Sequence, residues 1–422
     1  MVNIAIIGVG TVGCSVANIL KENKELIQAR AGKEIRVVKG VVRDISKKRD
    51  VEIPLTTDID EVLNDDSIDI VVELMGGVDE PFKVVKLALE KKKAVVTANK
   101  ALLAYHRYDL QEIAGDIPIG YEASVAGGIP IINALKVGLS ANEITSIRGI
   151  MNGTSNYMLT KMINDGVKYD DILKEAQELG YAEADPTFDV GGFDAAHKLL
   201  ILASIAYGID AKPEDILIEG IQNINQDDIS FAGEFGYSIK LLGIAKKINS
   251  NIELRVHPVL IKQTQMIAKI DGVMNGISVI GDKVGETLYY GPGAGGDATA
   301  SAVVSDIIEI VRAGKSSPML GFKKPFKSEN LVLQNKENIQ SQYYFRMSVE
   351  DVSGVLASIA KTLGDNNISV DTFLQKVIEN SSIATLQFST HECKEIDVKK
   401  AISQIEKFDF VKDGVSMIRI EA

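Results

Sequence analysis

Val2-Asn-Ile-Ala-Ile-Ile-Gly8 is a short apolar run ending in glycine, and it leads through Gly8-Val-Gly10-Thr11-Val12-Gly13 into a helical pattern that reaches about Lys24. No other stretch limits the fold as strongly. Strand, glycine turn and helix in that order open an α/β nucleotide-binding unit built on a parallel sheet. The three glycines serve a tight turn, close approach of backbone to a pyrophosphate, and close packing of helix on strand. The helix start then offers unpaired N–H groups to phosphates. Gly8, Gly10, Thr11, Val12 and Gly13 are therefore expected to hold a dinucleotide.

The alternation continues through Glu34–Val42, Ile68–Leu74 and Lys93–Thr97 as buried strands, with a helix at Pro81–Lys92. An acid commonly closes the second strand and binds the ribose 2′-hydroxyl. Here the strand ends Val41-Val42-Arg43-Asp44. Arg43 suits a 2′-phosphate and favours NADP(H); Asp44 keeps NAD(H) open, and a solvated basic loop with Lys47-Lys48-Arg49 is the plainer reading. Strand C-termini in such sheets face the ligand crevice, which points Thr97, Asn99 and Lys100 toward the nicotinamide. An exposed helix-start lysine is the other reading of Lys100.

The middle of the chain carries the densest chemistry. Gly180-Tyr-Ala-Glu183-Ala-Asp185-Pro-Thr-Phe-Asp189-Val-Gly-Gly-Phe-Asp194-Ala-Ala-His197-Lys198 gathers four acids and one lysine. Leu199–Ala206, apolar on nearly every side, follows directly, and a helix apolar all round is buried. Lys198 thus opens a buried element, where an ammonium must be paired or shift its pKa. A structural i,i+4 pair with Asp194 is the modest reading; a site for a small zwitterion or a proton transfer is the favoured one. His197 and His257 read as packing residues.

Around this block the sequence predicts strands at Ile117–Glu122, Ile144–Met151 and Leu254–Gln263, and helices at Ile131–Leu139, Tyr169–Leu179 and Tyr237–Ile248, with a loop at Asp228–Gly236. Asn152-Gly153-Thr154-Ser-Asn156 opens a helix whose start either binds a carboxylate through backbone N–H groups or is simply side-chain capped. Gly291-Pro-Gly-Ala-Gly295-Gly reads as a second glycine loop closing over the cofactor, or as a plain turn, before a helix to about Arg312.

Composition narrows the classes. A net charge of -12 over 422 residues lacks the basic footprint of a nucleic-acid binder. Cys14 and Cys393 have no metal-ligand spacing and suggest neither disulfide nor zinc. No run of 18 apolar residues exists for a membrane span, and the N-terminal apolar run lacks the basic flank of a signal peptide. A cytoplasmic protein acting on small molecules is expected.

Ala313–Lys336 reads as a linker. Beyond it, Gln342–Ser348, Val352–Leu363, Ile368–Gln375, Ile383–Ser389, Glu395–Phe408 and Val415–Ile420 spell β-α-β-β-α-β, a ferredoxin-like pattern. The expected fold class is α/β with three domains: a Rossmann-type unit at 1–130, an α+β substrate and dimerisation domain at 131–315 whose last segment (about 290–315) returns to the first, a linker at 316–340, and a ferredoxin-like module at 341–422.

Together, Gly8-x-Gly10-x-x-Gly13, Ala98-Asn-Lys100, Glu122-Ala-Ser-Val125-Ala-Gly127-Gly-Ile129-Pro130, Asn152-Gly-Thr154, Gly180-Tyr-Ala-Glu-Ala-Asp-Pro, Asp194-Ala-Ala-His-Lys198 and Gly291-Pro-Gly-Ala-Gly-Gly resemble homoserine dehydrogenase. The resemblance implies reversible reduction of L-aspartate 4-semialdehyde to L-homoserine with NADPH or NADH. It implies Lys198 as proton donor, Glu183, Asp189 and Asp194 at the substrate, Lys100 between cofactor and substrate, and Gly295 near the cofactor. It also implies a monovalent cation such as sodium, held by Glu122 and backbone groups of Val125, Gly127 and Ile129. The substrate α-carboxylate is assigned to the backbone of Gly153 and Thr154.

The C-terminal segment resembles an ACT domain through Asp351-x-x-Gly354-Val-Leu and Asn367-Ile368-Ser369, with Ser353 where the family often has proline. That resemblance implies an amino-acid effector, threonine first, at Asp351, Gly354, Asn367 and Ile368, and a homodimer or homotetramer; a dimerisation module without ligand is the alternative. Two other functions compete. Aspartate-semialdehyde dehydrogenase needs a cysteine thioester, for which Cys14 and Cys393 are badly placed. A non-catalytic sensor has no use for the Asp194/Lys198 pair. No kinase-like extension is seen, so an aspartokinase fusion is not expected.

Overall fold

Val2–Ile7 lies between Ile35–Val41 and Ile70–Glu73 in a six-stranded, all-parallel sheet of the computed structural model, which describes residues 1–314, 318–324, 331–377 and 382–421. Across the sheet the strands run Leu55–Thr56, Ile35–Val41, Val2–Ile7, Ile70–Glu73, Ala94–Thr97 and Ile119–Gly120. The order reverses at Val2–Ile7, so a crevice opens beyond its C-terminal end, where ligands of such sheets bind. The glycine turn occupies that position and starts the Thr11–Glu22 helix. A Cβ at Gly8 would lie 2.6 Å from the Leu74 carbonyl oxygen, and one at Gly13 would lie 2.5 Å from that of Gly8. Backbone stands where a side chain would go.

The described chain forms two compact units. The first comprises Met1–Gly153, Asp194–Asp215 and Val273–Leu331. Here Ala300, Val303 and Ile307 of the Gly296–Ala313 helix share one apolar core with Ile4, Ile6, Val72 and Val96. The unit also holds three neighbouring antiparallel strands, Gly285–Pro292, Met274–Gly281 and Ile144–Ile150, of which the first two form a hairpin.

The second unit comprises Thr154–Phe193, Ile216–Gly272 and Val332–Ala422. Its C-terminal module has the order β-α-β-β-α-β. The antiparallel sheet runs Ser416–Glu421, Gln340–Glu350, Ile383–Thr390, Val370–Val377, and the helices Val355–Asp365 and Glu395–Ile405 cover it. Ser416–Glu421 also pairs in parallel with Asn251–Lys262, with Val259 opposite Arg419. The module's sheet therefore continues into the hairpin of Tyr237–Ile248 and Asn251–Lys262.

Several elements differ from the sequence expectation. Tyr237–Ile248 is a strand, not a helix; it is buried through most of its length, so its pattern has no period to read, and a twelve-residue ladder overrides local preference. The expected loop before it is the Gln226–Glu234 helix, started by a capping box in which Asn225 accepts from Asp228 N–H and Asp228 from Asn225 N–H. Ile117–Glu122 shrinks to Ile119–Gly120, because Glu122 N–H turns to the Asp306 carboxylate on the Gly296–Ala313 helix. Ile131–Leu139 is a short α segment followed by a wider π turn at Ala134–Gly138. Parts of the expected linker, 315–317 and 325–330, lie outside the described residues; Val332–Leu333 is a short strand beside Asn251–Ile252.

Gly13→Ala tests the glycine turn. The methyl must displace the Gly8 carbonyl, which costs about 1–3 kcal/mol by overpacking. The expected outcome is a melting temperature lower by several degrees and dinucleotide affinity weakened at least about tenfold, read by thermal unfolding and fluorescence titration.

Candidate active site

Asp194 is the focus of the first unit. It lies in the first turn of the Phe193–Tyr207 helix, whose residues from Asp194 through Ile205 are all buried. The i,i+4 spacing brings Lys198 Nζ to 2.8 Å from Asp194 Oδ2. Lys100 Nζ approaches the other oxygen, Oδ1, to 2.5 Å. Asn152 Nδ2 donates to Oδ2 at 2.9 Å, and Lys198 donates a second bond to the Met151 carbonyl at 2.7 Å. Asp194 is 3% and Lys198 9% exposed. Burial pushes the Asp194 carboxyl up, but the ammonium groups of Lys198 and Lys100 outweigh it and hold the carboxyl well below the usual range.

Lys100 is placed by a separate set of bonds. It opens the Lys100–Ala114 helix, capped by Asn99, whose side-chain oxygen accepts from Leu102 N–H. Asn99 Nδ2 donates to the Gly77 carbonyl at 2.9 Å, and Asn99 N–H donates to Thr97 Oγ1 at 3.0 Å. Thr97 in turn donates to Glu73 Oε2 at 2.6 Å, and Glu73 Oε1 accepts from Met75 N–H at 2.7 Å. The Thr97 hydroxyl is thus engaged within the sheet. Sequence reasoning does not single out Glu73; an acid inside the apolar run Ile70-Val-Val-Glu73 is the signal that could have found it. It is fully buried, and burial pushes its carboxyl to about 7 against the hydrogen bonds from Thr97, Met75 and Asn99.

Beside the glycine turn lies a cleft of about 480 Å³ lined by Gly8, Gly10, Arg43, Arg49, Met75 and Gly76 among others. Nothing stands within 4 Å of a Cβ placed on Gly10, so its backbone faces open space. Arg49 is no solvated loop residue: Nε donates to the Val9 carbonyl at 2.8 Å and Nη1 to that of Asp44 at 2.9 Å. The Asp44 carboxylate accepts from Ser46 N–H and Oγ. Gly295, at φ +122, begins the Gly296–Ala313 helix, and a Cβ on Gly296 would lie 2.9 Å from Ser15 Oγ and 3.2 Å from Thr11 Cγ2. Both glycine loops therefore meet. An exposed backbone, an unpaired helix start and two arginines fit a dinucleotide.

Glu122 is buried, and its two carboxylate oxygens accept from Ile132 and Asn133 N–H, each at 2.8 Å. Burial raises its pKa despite those bonds. Among the described residues, no group of three or more His, Cys, Asp or Glu side chains could hold a metal ion. Nor do the Val125 and Gly127 carbonyls accept a hydrogen bond among the described residues, and the turn passes through Ala126 and Gly127 at φ +55 and +49. The Ile129 carbonyl accepts from Ile131 N–H. Spare backbone oxygens suit a hard cation.

Gly153 closes the first unit; Thr154, Glu183 and Asp189 belong to the second. Thr154 Oγ1 donates to the Tyr181 carbonyl at 2.6 Å, Glu183 is exposed, and Asp189 is half-buried in the short Thr187–Val190 helix. In the C-terminal module Asp351, Gly354 and Asn367 are exposed and Ile368 is buried; Gly354 and Asn367 have φ of +94 and +59. His257 is fully buried with Nδ1 against the Pro258 carbonyl, and His197 packs edge-on to Tyr105.

Known proteins place this geometry. Residues 130–308 match the homoserine dehydrogenase family model, 8–116 that family's NAD-binding domain, and 343–410 the ACT domain. A homoserine dehydrogenase of Helicobacter pylori is 58% identical over 419 residues, 99% of either chain. The chain belongs to the homoserine dehydrogenase family. It is an oxidoreductase acting on a CH–OH group, with a Rossmann-type NAD-binding domain and a C-terminal ACT domain. The crystal structure of a homoserine dehydrogenase from Thiobacillus denitrificans superposes with a TM-score of 0.93 at 44% identity, covering 100% of this chain and 98% of that one. A hyperthermophilic archaeal homoserine dehydrogenase in complex with NADPH has a TM-score of 0.63 at 28% identity, covering 77% of this chain and 99% of that one. Among the described residues no helix is long and apolar enough to cross a membrane.

Glu73 makes a pH prediction. A carboxyl raised on folding stabilises the fold fully below its unfolded value near 4.5 and ceases to do so as pH rises through about 7. Asp306, pushed up to about 8 by burial and by Glu122, acts in the same direction. The melting temperature of the cofactor-free protein should fall on the order of 5 °C between roughly pH 4.5 and 8, and Glu73→Gln should flatten the lower part of that decline. Calorimetric scans across pH decide it; a flat wild-type profile would refute it.

Proposed function

We propose that the enzyme interconverts L-aspartate 4-semialdehyde and L-homoserine in threonine, methionine and isoleucine biosynthesis, with Lys198 as the proton donor and acceptor. The observation that carries the reading is one buried carboxylate, Asp194, held by two ammonium groups. The bound nicotinamide dinucleotide supplies or accepts the hydride. As the aldehyde is reduced, negative charge gathers on its oxygen. An ammonium already fixed in place stabilises that charge and delivers a proton without reorganisation. Asp194 and the Met151 carbonyl each accept from Lys198 and hold its ammonium in place. Lys100, drawn to Asp194 from the cofactor sheet, adds the second positive charge.

Glu183 and Asp189 are assigned to the substrate α-ammonium. The backbone N–H groups of Gly153 and Thr154, at the start of the Gly153–Asp165 helix, are assigned to its α-carboxylate. NADP(H) is favoured over NAD(H): Arg43 and Arg49 line the cleft, while the Asp44 carboxylate that could bind a ribose hydroxyl is turned to Ser46. A sodium-type cation would be held by the carbonyls of Val125, Gly127 and Ile129 with Glu122, supplying fixed positive charge to that loop.

The test is oxidation of NADPH and NADH with aspartate semialdehyde. Wild type should turn over both and prefer NADPH. Lys198→Ala should keep its cofactor dissociation constant and lose at least about a hundredfold in turnover, the low end of general acid catalysis. Near-normal turnover would remove Lys198 from the mechanism.

Feedback by threonine through the ACT domain is the second part of the proposal, with Asp351, Gly354, Asn367 and Ile368 as the effector site. Deleting the module would strip Arg419 from Glu219 and Glu421 from Arg255, so a point change is cleaner. Asp351→Ala should raise the threonine concentration for half-inhibition at least about tenfold and leave uninhibited turnover unchanged. Calorimetry with no heat for threonine, methionine or isoleucine would leave the module a structural role alone.

A further inference from the structure

Arg419 lies in the last strand of the C-terminal module, 1% exposed, and is bound on two sides. Nε donates to Glu395 Oε2 at 3.0 Å inside the module, where Tyr343 donates to the same oxygen at 2.8 Å. On the other side its Nη1 and Nη2 donate to the two oxygens of Glu219 at 2.7 and 2.8 Å. A two-pronged arginine–carboxylate contact fixes orientation as well as distance. Glu219 lies outside the module. It follows the short strand Leu217–Ile218, which pairs in parallel with Arg255–Val256, and its N–H donates to the Val256 carbonyl at 2.8 Å.

The segment after Glu219 supports the acidic loop. Ile221 N–H donates to the Val190 carbonyl at 2.9 Å, and a Cβ on Gly220 would lie 2.4 Å from that same oxygen. Gly192, at φ +87, faces the Glu219 carbonyl with 3.4 Å to a Cβ in that direction. So Glu219–Ile221 is packed against Val190–Gly192, whose two glycines lead by covalent connection through Phe193 into Asp194. All of these contacts lie within one compact unit.

We propose that Arg419, through Glu219, positions the Asp185–Phe193 loop, making the C-terminal module part of the scaffold on which substrate is bound. Arg419 and Glu219 are positioning residues: neither touches the reacting atoms. The role holds whether or not the module takes an effector. It rests on the reading that homoserine is bound by this loop.

Glu219→Gln in the full-length protein tests it, because Glu219 has a 36% exposed side chain and its loss leaves the buried Arg419–Glu395 pair in place. The expected result is a KM for homoserine raised about tenfold, kcat changed by less than about twofold, and an unchanged NADPH dissociation constant. Hydrogen–deuterium exchange should quicken in peptides covering residues 183–193 and not in those covering the parallel sheet. Glu219→Asp, which keeps the charge, should recover part of the KM. Unchanged KM with unchanged exchange in the loop overturns the proposal. So does a rise of KM and cofactor dissociation constant together, with faster exchange throughout the chain. Wild-type protein inactive on homoserine would sink the functional reading, and loop exchange in Glu219→Gln would still judge the positioning role.

Discussion

A carboxylate removed from water must be matched by charge and hydrogen bonds or it will be protonated. At Asp194 the match is made by groups from three directions. Lys198 comes from the same helix, Lys100 from the helix that follows the fifth strand of the parallel sheet, and Asn152 from the end of Ile144–Ile150. Misplacing any one leaves a buried charge short of partners, so the helix, the nucleotide sheet and the antiparallel sheet are bound to a common point. Removing Asp194 would leave two ammonium groups facing each other.

Glu73 solves the same problem in the opposite way. Among its described contacts there is no cation; it is held by a hydroxyl and backbone and amide donors, and burial raises its pKa against those hydrogen bonds. Its role is mechanical, since it ties the Met75–Gly77 turn to Thr97 and so to the start of the Lys100 helix. A carboxyl works there because it accepts on both oxygens at once.

What can be read from sequence is what is local. The glycine turn, the alternation of strands and helices, and the Asp194/Lys198 spacing are each set within a few residues, and the ACT pattern within eighty or so. Lys100 meeting Asp194 is not legible, because no periodicity links residues so far apart in the chain. Tyr237–Ile248 misleads because its apolar and basic residues suit a helix as well as a strand, and only its ladder to Asn251–Lys262 decides. The Asn225 cap escapes notice because its reciprocal acid is Asp228 where glutamate or glutamine is the usual signal. Arg419 and Glu219 stand 200 residues apart, and each looks like an ordinary surface residue until the strands are paired.

The chain crosses from one compact unit to the other after Gly153, Phe193, Asp215, Gly272 and Leu331. Neither unit is a continuous piece of polypeptide. A gene-level cut after Phe193, Asp215 or Gly272 severs both, and a cut at either of the other two crossings severs one, so this architecture resists being shuffled by recombination in the way beads on a string are. It also means that the two must mature jointly, since in chain order the Asp194 helix lies between segments of the opposite unit on either side.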